Sequence, residues 1–258
     1  MKVAVLIPGE LRAVYNVKNL YNGCDVFIHS DKKFLDTIPC HKFQVFNEED
    51  EKLSKKYLDN HRVNFHRIVQ WFRYRELLKN DFSDYDIVVK TRTDLDCSID
   101  TLMGFLKDKK VEDNTLYMRS DWMWYGTPEI ILKTDFYRHI IFYVYGDRKY
   151  FQLDYDTILK SELDSSNENR IAGQFKWLNY PKQYINNWKT IREDIEKNID
   201  RLKGIKSNSI GPDEIYTEFP IELSNPFPSE KFFLMYLINQ GIVCKNVDFP
   251  VYVDHNRR

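Results

Sequence analysis

Two aspartates, Asp94 and Asp96, are the residues of this chain best suited by type and spacing to do chemistry. They follow a short β-branched apolar run, residues 87–89 (Ile-Val-Val), which predicts a buried strand. Because alternate side chains of an extended segment point the same way, both carboxylates can face one point beyond the end of that strand. Such a pair suits Mg²⁺ or Mn²⁺ held jointly with substrate phosphates, and the flanking Lys90 and Arg92 favour an anionic ligand. The segment predicts a metal-dependent enzyme acting on a nucleoside diphosphate; a solvated turn after the strand is the alternative.

A second unusual segment begins at Asp121 and has the sequence Asp-Trp-Met-Trp-Tyr-Gly. Aromatic faces stack on the C–H surfaces of sugars while carboxylates bind hydroxyls, so this mixture is typical of a carbohydrate site. A core strand with one aspartate at its edge has the same composition. Both interpretations stay open on the residues alone.

The length and composition of the chain fit one large α/β domain spanning residues 1–258. The chain has 258 residues, of which 43% are hydrophobic and 15% aromatic, enough for a substantial core. A formal net charge of −1 argues against nucleic acid as a partner, because non-specific binding usually needs a basic excess. The four cysteines are scattered without a Cys-x-x-Cys pair, which is typical of reduced thiols in a cytoplasmic protein. No apolar stretch approaches the roughly 20 residues that span a bilayer, so no transmembrane segment is expected.

The order of the predicted elements indicates a parallel sheet. Apolar runs predict strands at residues 3–7, 25–30, 43–46 and 86–90, with a helix at about 11–21 between the first two. A strand, a helix and a second strand in that order imply a right-handed parallel βαβ unit. An amphipathic helix is expected at about 63–78, with its arginines divided between a solvated face and the rim of a site.

Further elements are expected on either side of a polar region at about 146–210, which predicts a helical or loop elaboration. The expected elements are a helix at 102–106, a strand at 115–118, a helical pattern at 127–145, a helix at about 229–239, a strand at 242–247 and an extended piece at 251–255. We divide the single domain into a nucleotide-binding half, residues 1–120, and an acceptor-side half, residues 121–258.

Together these pieces resemble the GT-A glycosyltransferases. The resemblance lies in a Rossmann-like N-terminal half, an Asp-x-Asp after the fourth strand, an aromatic and acidic segment, and a late helix that begins with glutamate. Within that fold the chain is most similar to the bacterial and viral group typified by WavE-like lipopolysaccharide and capsule synthesis proteins. The matching segments are residues 5–12 (VLIPGELR), 25–30 (DVFIHS), 89–96 (VKTRTDLD), 121–126 (DWMWYG) and 228–231 (PSEK).

The resemblance implies a GT-A fold, with a mostly parallel central sheet flanked by helices, and a UDP- or GDP-sugar donor at the carboxyl ends of the strands. Asp94 and Asp96 would coordinate Mn²⁺ or Mg²⁺ bridging the diphosphate, and His255 would complete the metal site. The residues expected at the donor are Pro8, Gly9, Glu10, Arg12, His29, Ser30, Lys90, Arg92 and Asp94. The acceptor would be a glycan or another hydroxyl compound in surface-polysaccharide synthesis, a role compatible with peripheral association with a membrane.

The implied reaction needs stabilisation of a departing nucleoside diphosphate, which a divalent cation supplies by Lewis-acid action. An inverting enzyme also needs a carboxylate base for the acceptor hydroxyl. Asp121 is the first candidate for this base and Glu230 the second, although Glu230 at a helix N-terminus also suits the helix dipole. A retaining enzyme needs no such base, and the sequence leaves both outcomes open.

Two other functions compete with glycosyl transfer. A sugar-phosphate nucleotidyltransferase uses a related fold but usually has a glycine-rich basic loop after the first strand, whereas the loop at Pro8–Arg12 contains a single glycine. A non-catalytic carbohydrate-binding protein of the same fold is the other alternative, and the intact Asp-x-Asp argues against it. An aspartyl-phosphate phosphohydrolase would need its Asp-x-Asp directly after the first strand, where this chain has none.

Overall fold

A seven-stranded sheet forms the centre of the protein in the computed structural model. The structure describes residues 1–11, 21–36, 39–55, 65–93, 95–97, 102–119, 122–139, 233, 236–247, 249 and 251–253. In chain order the strands are β1 (Val3–Pro8), β2 (Asp25–Asp31), β3 (Lys42–Phe46), β4 (Ile87–Lys90), β5 (Leu95–Cys97), β6 (Thr115–Arg119), β7 (Met123–Gly126), β8 (Val243–Asn246) and β9 (Val251–Val253). Strands β5 and β9 form a separate two-stranded sheet.

Among the described strands of the central sheet, β7 alone runs opposite to the others. In the order β3-β2-β1-β4-β7-β6-β8, β1 pairs in parallel with β2 and β4, and β2 pairs in parallel with β3. Strand β7 is antiparallel to both of its neighbours, β4 and β6, while β6 pairs in parallel with β8. The parallel strands therefore end together at one edge, which we call the carboxyl edge. The predicted α/β class with a mostly parallel sheet is confirmed.

The described α-helices lie between the strands along the chain. Those with described bounds are α1 (Glu48–Lys55), α2 (Phe65–Leu78), α3 (Leu102–Leu106) and α4 (Pro128–Leu132), and short 3-10 turns occur at Lys32–Phe34 and Phe136–His139. Residues 233 and 236–239 are also helical, within the helix predicted at about 229–239. Helices predicted at about 63–78 and 102–106 are thus confirmed. The helix predicted at about 11–21 falls mainly on residues 12–20, outside the described residues, as does the polar region at 146–210.

Local sequence explains where two of these helices begin. The Asn47 side chain accepts hydrogen bonds from the backbone N–H groups of Glu49 (2.9 Å) and Asp50 (3.0 Å). The Asp50 carboxylate in turn accepts one from the Asn47 N–H (3.0 Å), which completes a reciprocal cap at α1. At α4, Thr127 accepts from Ile130 N–H (3.4 Å), and Pro128 stands at the first helical position.

The sheet is covered on both faces. Ile87 and Val89 face a core that includes the buried residues of α3. Because successive side chains of a strand point to opposite faces, the Lys90 side chain lies on the other face from Val89, where α2 packs over β1 and β2. No helix in the described part of the chain is both long enough and apolar enough to cross a membrane.

An aromatic cluster fills the α2 face of the sheet. We define it as Trp71, Tyr74, Trp124, Phe136, Phe233 and Tyr236, all of which are buried. The Trp71 and Trp124 rings are stacked with centroids 6.0 Å apart, and Phe233 lies 4.5 Å from Trp71 and 5.1 Å from Trp124. The cluster therefore joins α2, β7 and residues near the C-terminal end of the described chain into one packed layer.

A chain of hydrogen bonds crosses this cluster. Trp124 Nε1 donates to the Tyr74 hydroxyl (3.2 Å), and the Thr134 hydroxyl donates to the Ile131 carbonyl (2.6 Å). Because the single Thr134 proton is used there, Tyr74 must donate across the 2.6 Å contact between Tyr74 Oη and Thr134 Oγ1. Burial raises the pKa of Tyr74 well above its ordinary value, so the phenol keeps the proton that this chain requires.

Candidate active site

The carboxyl edge contains a topological switch point between β1 and β4. Successive strands β2 and β3 lie on one side of β1, whereas β4 lies on its other side. In open α/β sheets ligands bind outside the carboxyl ends of the strands at such a point. The residues leaving β1 and β4 here, Gly9 to Leu11 and Thr91 to Thr93, include several of the predicted donor-binding residues.

The chain leaves β1 through a turn that depends on Gly9. Its φ of +113° lies in the region that favours glycine, and its N–H donates to the carbonyl of His29 (3.0 Å). This bond ties the exit of β1 to the end of β2. Glu10 follows with its carboxylate 3.6 Å from the Lys33 ammonium, and both side chains are exposed. Arg12 lies outside the described residues.

The chain leaves β4 under close restraint. The Thr91 N–H donates to the Leu6 carbonyl (3.0 Å), which extends the β1–β4 ladder beyond Lys90. The Tyr21 phenol then contacts the Thr91 hydroxyl (3.3 Å) and donates to the Arg92 carbonyl (3.1 Å). Thr91 and Thr93 are buried and Arg92 is half-buried. The segment that leads to the Asp-x-Asp therefore starts from a fixed position.

The two-stranded sheet connects the Asp-x-Asp to the C-terminal end of the chain. In the antiparallel pairing of β5 with β9, Leu95 lies opposite Val253 and Asp96 lies opposite Tyr252. The last residue of β9, Val253, therefore lies beside the first residue of β5, Leu95. Leu95 immediately follows Asp94, and Val253 is two residues before His255 in the sequence. An extended piece is expected from the sequence near residues 251–255, and the structure adds its pairing with β5.

Lys90, predicted at the donor, is a buried cation at the end of β4. Its exposed fraction is 1%, and its ammonium lies 4.0 Å from the centroid of the Trp124 ring. The two residues are also paired across β4 and β7. A buried ammonium is costly unless compensated, and the negative face of an indole ring is one favourable partner. Lys90 thus places positive charge just beneath the carboxyl edge.

Asp121 lies in the connection between β6 and β7. Arg119 and Met123 are paired across these strands, and Trp124 pairs with Lys90 at the end of β4. The strand ends that this connection joins therefore lie at the carboxyl edge. Asp121 itself is outside the described residues.

The aromatic residues that follow Asp121 belong to the core. Exposed fractions are 8% for Trp122, 2% for Trp124 and 1% for Tyr125. The Tyr125 ring stacks on Tyr117 with centroids 5.0 Å apart. Of the two interpretations of this segment, burial supports the core strand for these aromatics, because a sugar-stacking surface needs exposed ring faces.

His29 and Ser30 lie at the end of β2, as predicted, and both are buried. His29 Nδ1 is 3.3 Å from the Arg73 carbonyl, which can only accept, so Nδ1 carries the proton. Its Nε2 faces the Asp50 carboxylate at 3.7 Å. Burial lowers the pKa of His29, and this effect outweighs the opposing influence of Asp50. The Ser30 hydroxyl is buried and finds no hydrogen-bond partner among the described residues.

Arg73 is a feature of this edge that sequence reasoning missed. Its guanidinium contacts the Asp31 carboxylate at 2.5 Å and lies 4.3 Å from the centroid of the Phe46 ring. The arginines of α2 were expected on a solvated face or a site rim, but the Arg73 side chain is 8% exposed. Its position inside the run Trp71-Phe72-Arg73-Tyr74 was the available signal, since aromatic neighbours on both sides indicate a helix with little exposed surface.

The remaining predicted site residues fall where the structure gives no side-chain positions. Asp94, His255 and Glu230 lie outside the described residues, and Asp96 is described only as part of the backbone of β5. Within the described part of the chain, no group of three or more His, Cys, Asp or Glu side chains is arranged to hold a metal ion.

Comparison with known proteins gives no family for this chain. A scan against protein-family models and a search of curated proteins both found no match.

Proposed function

We propose that this chain is a metal-dependent glycosyltransferase of the GT-A fold, with residues 1–258 forming one catalytic domain. It moves a sugar from a UDP- or GDP-sugar to a hydroxyl group of a glycan. The main support is the pairing of β5 with β9, which brings the backbone that follows Asp94 next to the chain that leads to His255. This pairing lies immediately after the switch point at which α/β sheets bind ligands.

The residues near this point fit a divalent cation. Two aspartates separated by one residue in the sequence offer hard oxygen ligands, and an imidazole nitrogen is accepted by Mn²⁺. The fixed exit of β4 also supports the assignment, because the hydrogen bonds of Thr91 and Arg92 anchor the chain within a few residues of Asp94. In this proposal Asp94, Asp96 and His255 hold the cation.

The bound cation supplies Lewis-acid stabilisation of the diphosphate leaving group. The other roles belong to the chain itself. The turn at Gly9, joined to the carbonyl of His29, borders the nucleoside. Lys90 and Arg92 add positive charge towards the phosphates, and the buried position of Lys90 strengthens its field because little water screens it. For an inverting reaction, Asp121 takes the proton of the acceptor hydroxyl from the β6–β7 turn, with Glu230 as the second candidate base.

A thermal-shift comparison tests the metal and nucleotide assignment. UDP or GDP at about 100 times its Kd should stabilise the protein by about 2.7 kcal/mol, or about 5–10 °C, in the presence of Mn²⁺ and far less without it. Asn substitutions at Asp94 and Asp96 together should remove this metal dependence while leaving the unliganded melting temperature nearly unchanged. A panel of UDP- and GDP-sugars with a hydrolysis readout then identifies the donor.

The chain offers a matched control at the other end of β4. Asp84 and Asp86 form an Asp-x-Asp pair with the same spacing just before the strand, and both are exposed. Asp86 accepts a hydrogen bond from the Lys2 N–H (2.6 Å), a bond that asparagine can also accept. Asn substitutions at this pair should leave the metal-dependent shift intact. Equal shifts in the two double variants would refute the assignment of the metal to Asp94 and Asp96.

A further inference from the structure

We propose that Tyr21 is a positioning residue for the metal site. It sets the cation affinity of Asp94 and Asp96 through the backbone that leads to them. This role rests on the proposed function, because it has meaning only if those aspartates bind a cation. Tyr21 itself touches neither the donor nor the cation in this account.

The geometry begins with the place of Tyr21 in the fold. It lies in the connection between β1 and β2, where its carbonyl accepts a hydrogen bond from the Cys24 N–H (3.0 Å) and Gly23 turns the chain with a φ of +82°. Its ring is buried among residues of the core that includes Ile7 and Leu11. From this fixed base the phenol reaches the exit of β4, which is far away in sequence.

The directions of the two hydrogen bonds follow from the groups involved. The Arg92 carbonyl can only accept, so the single phenolic proton of Tyr21 is donated to it (3.1 Å). The 3.3 Å contact with Thr91 must then be a donation from the Thr91 hydroxyl to Tyr21 Oη. One buried phenol therefore fixes both the side chain of Thr91 and the backbone of Arg92.

These bonds act on a segment between two strand ladders. The β1–β4 ladder ends with the Thr91 N–H, and the β5–β9 ladder begins at Leu95. The Arg92 carbonyl is the point between them that Tyr21 holds, only two residues before Asp94. Cation coordination requires ligand oxygens about 2.0–2.2 Å from the ion, so small displacements of the backbone here change affinity.

The test measures manganese affinity directly. Free Mn²⁺ is followed by EPR while it is titrated into the protein at a fixed concentration of UDP or GDP, and a titration of the nucleotide alone is subtracted. The readout does not depend on turnover. Loss of a group that orients metal ligands commonly costs about 10–100-fold in affinity. For Tyr21→Phe, which acts through the backbone, we expect an increase of about 10-fold in the Kd for Mn²⁺.

Tyr117 provides a matched control on the same core. Its phenol also donates to a backbone carbonyl, that of Lys110 (3.2 Å), and its ring belongs to the same buried cluster. Tyr117→Phe should therefore lower stability about as much as Tyr21→Phe but leave the Kd for Mn²⁺ unchanged. An equal loss of manganese affinity in both variants would show a merely structural role and overturn the inference.

A pair of changes at Thr91 checks the same contact from its other side. Thr91→Val removes the hydroxyl that donates to Tyr21 and should weaken Mn²⁺ binding, whereas Thr91→Ser keeps it and should bind like the wild-type protein. If Tyr21→Phe and Thr91→Val both bind manganese like the wild type, Tyr21 has no positioning role.

The outcomes also separate this inference from the proposed function. If the Asp94 and Asp96 double variant loses manganese binding while Tyr21→Phe keeps it, only the role of Tyr21 falls. If the wild-type protein binds no manganese with either nucleotide, both fall.

Discussion

Removing the Tyr74 hydroxyl should destabilise the protein more than an ordinary Tyr→Phe change. This hydroxyl accepts from Trp124 Nε1 (3.2 Å) and contacts the Thr134 hydroxyl (2.6 Å) in the buried aromatic cluster. In Tyr74→Phe the Trp124 N–H loses this acceptor, while Thr134 keeps its bond to the Ile131 carbonyl. The main cost is therefore one buried donor left without this partner.

The expected loss of stability follows from this one buried donor without its acceptor. A buried donor left unsatisfied costs about 1–3 kcal/mol, so we expect a loss of about 2 kcal/mol in the free energy of unfolding. In a chain of this length this corresponds to a fall of about 4–8 °C in the melting temperature. Thr134→Val breaks the same chain one step further on, so the cost of the double variant should be less than the sum of the two single costs.

Urea unfolding followed by tryptophan fluorescence measures these changes, because Trp71 and Trp124 lie within the cluster. Tyr85→Phe is the control, since its hydroxyl donates to the half-exposed Asp25 carboxylate (2.9 Å), where water can replace the lost bond. If Tyr74→Phe costs no more than Tyr85→Phe, or if the costs of Tyr74→Phe and Thr134→Val simply add, the proposed hydrogen-bond chain is wrong.

The remaining predictions concern pH and the C-terminal strand. The pKa of His29 is lowered in the folded state, so the unfolded state binds more protons below about pH 6.5, and the free energy of unfolding should fall with decreasing pH by at most about 1.4 kcal/mol per pH unit. His29→Asn keeps a donor for the Arg73 carbonyl and should remove this pH dependence of the free energy of unfolding, measured by urea titrations at several pH values. Substitution of the exposed His41 should leave it in place. Equal pH profiles for wild type and His29→Asn would contradict its assignment to His29. Deleting residues 254–258 removes His255 but keeps β9, so it should weaken the manganese-dependent thermal shift without lowering the unliganded melting temperature. Deleting residues 251–258 also removes the partner of β5 and should lower both the manganese-dependent thermal shift and the unliganded melting temperature. Identical behaviour of the two truncations would argue against the pairing of β5 with β9 as the basis of the site.

The sequence predicts most of the first half of the sheet, because the signals there are local. A continuous apolar run marks β1, and a strand, helix, strand order implies the parallel pairing of β1 with β2 that the structure has. The predicted strands at 3–7, 25–30 and 43–46 agree with β1, β2 and β3 to within one residue at each end. The apolar side chains of a buried parallel strand are usually enough to identify it from the sequence.

Features that depend on contacts distant in sequence could not be predicted. Strands β5 and β9 have three residues each, and their pairing joins positions 95–97 to 251–253, for which no local pattern specifies a partner. The composition of the Trp124 segment fits a sugar surface and a core strand equally well, and only packing against α2 distinguishes them. The ion pair of Arg73 with Asp31 likewise arises from packing of α2 over β2.

The most direct measurement of the central claim is a crystal structure of the protein soaked with MnCl₂ and UDP or GDP, with an anomalous difference map for manganese. We predict one peak beyond the end of β4, within about 2.0–2.2 Å of carboxylate oxygens of Asp94 and Asp96 and next to the diphosphate. Nucleotide bound at the switch point with manganese elsewhere, or with both carboxylates turned away from the phosphates, would contradict the account.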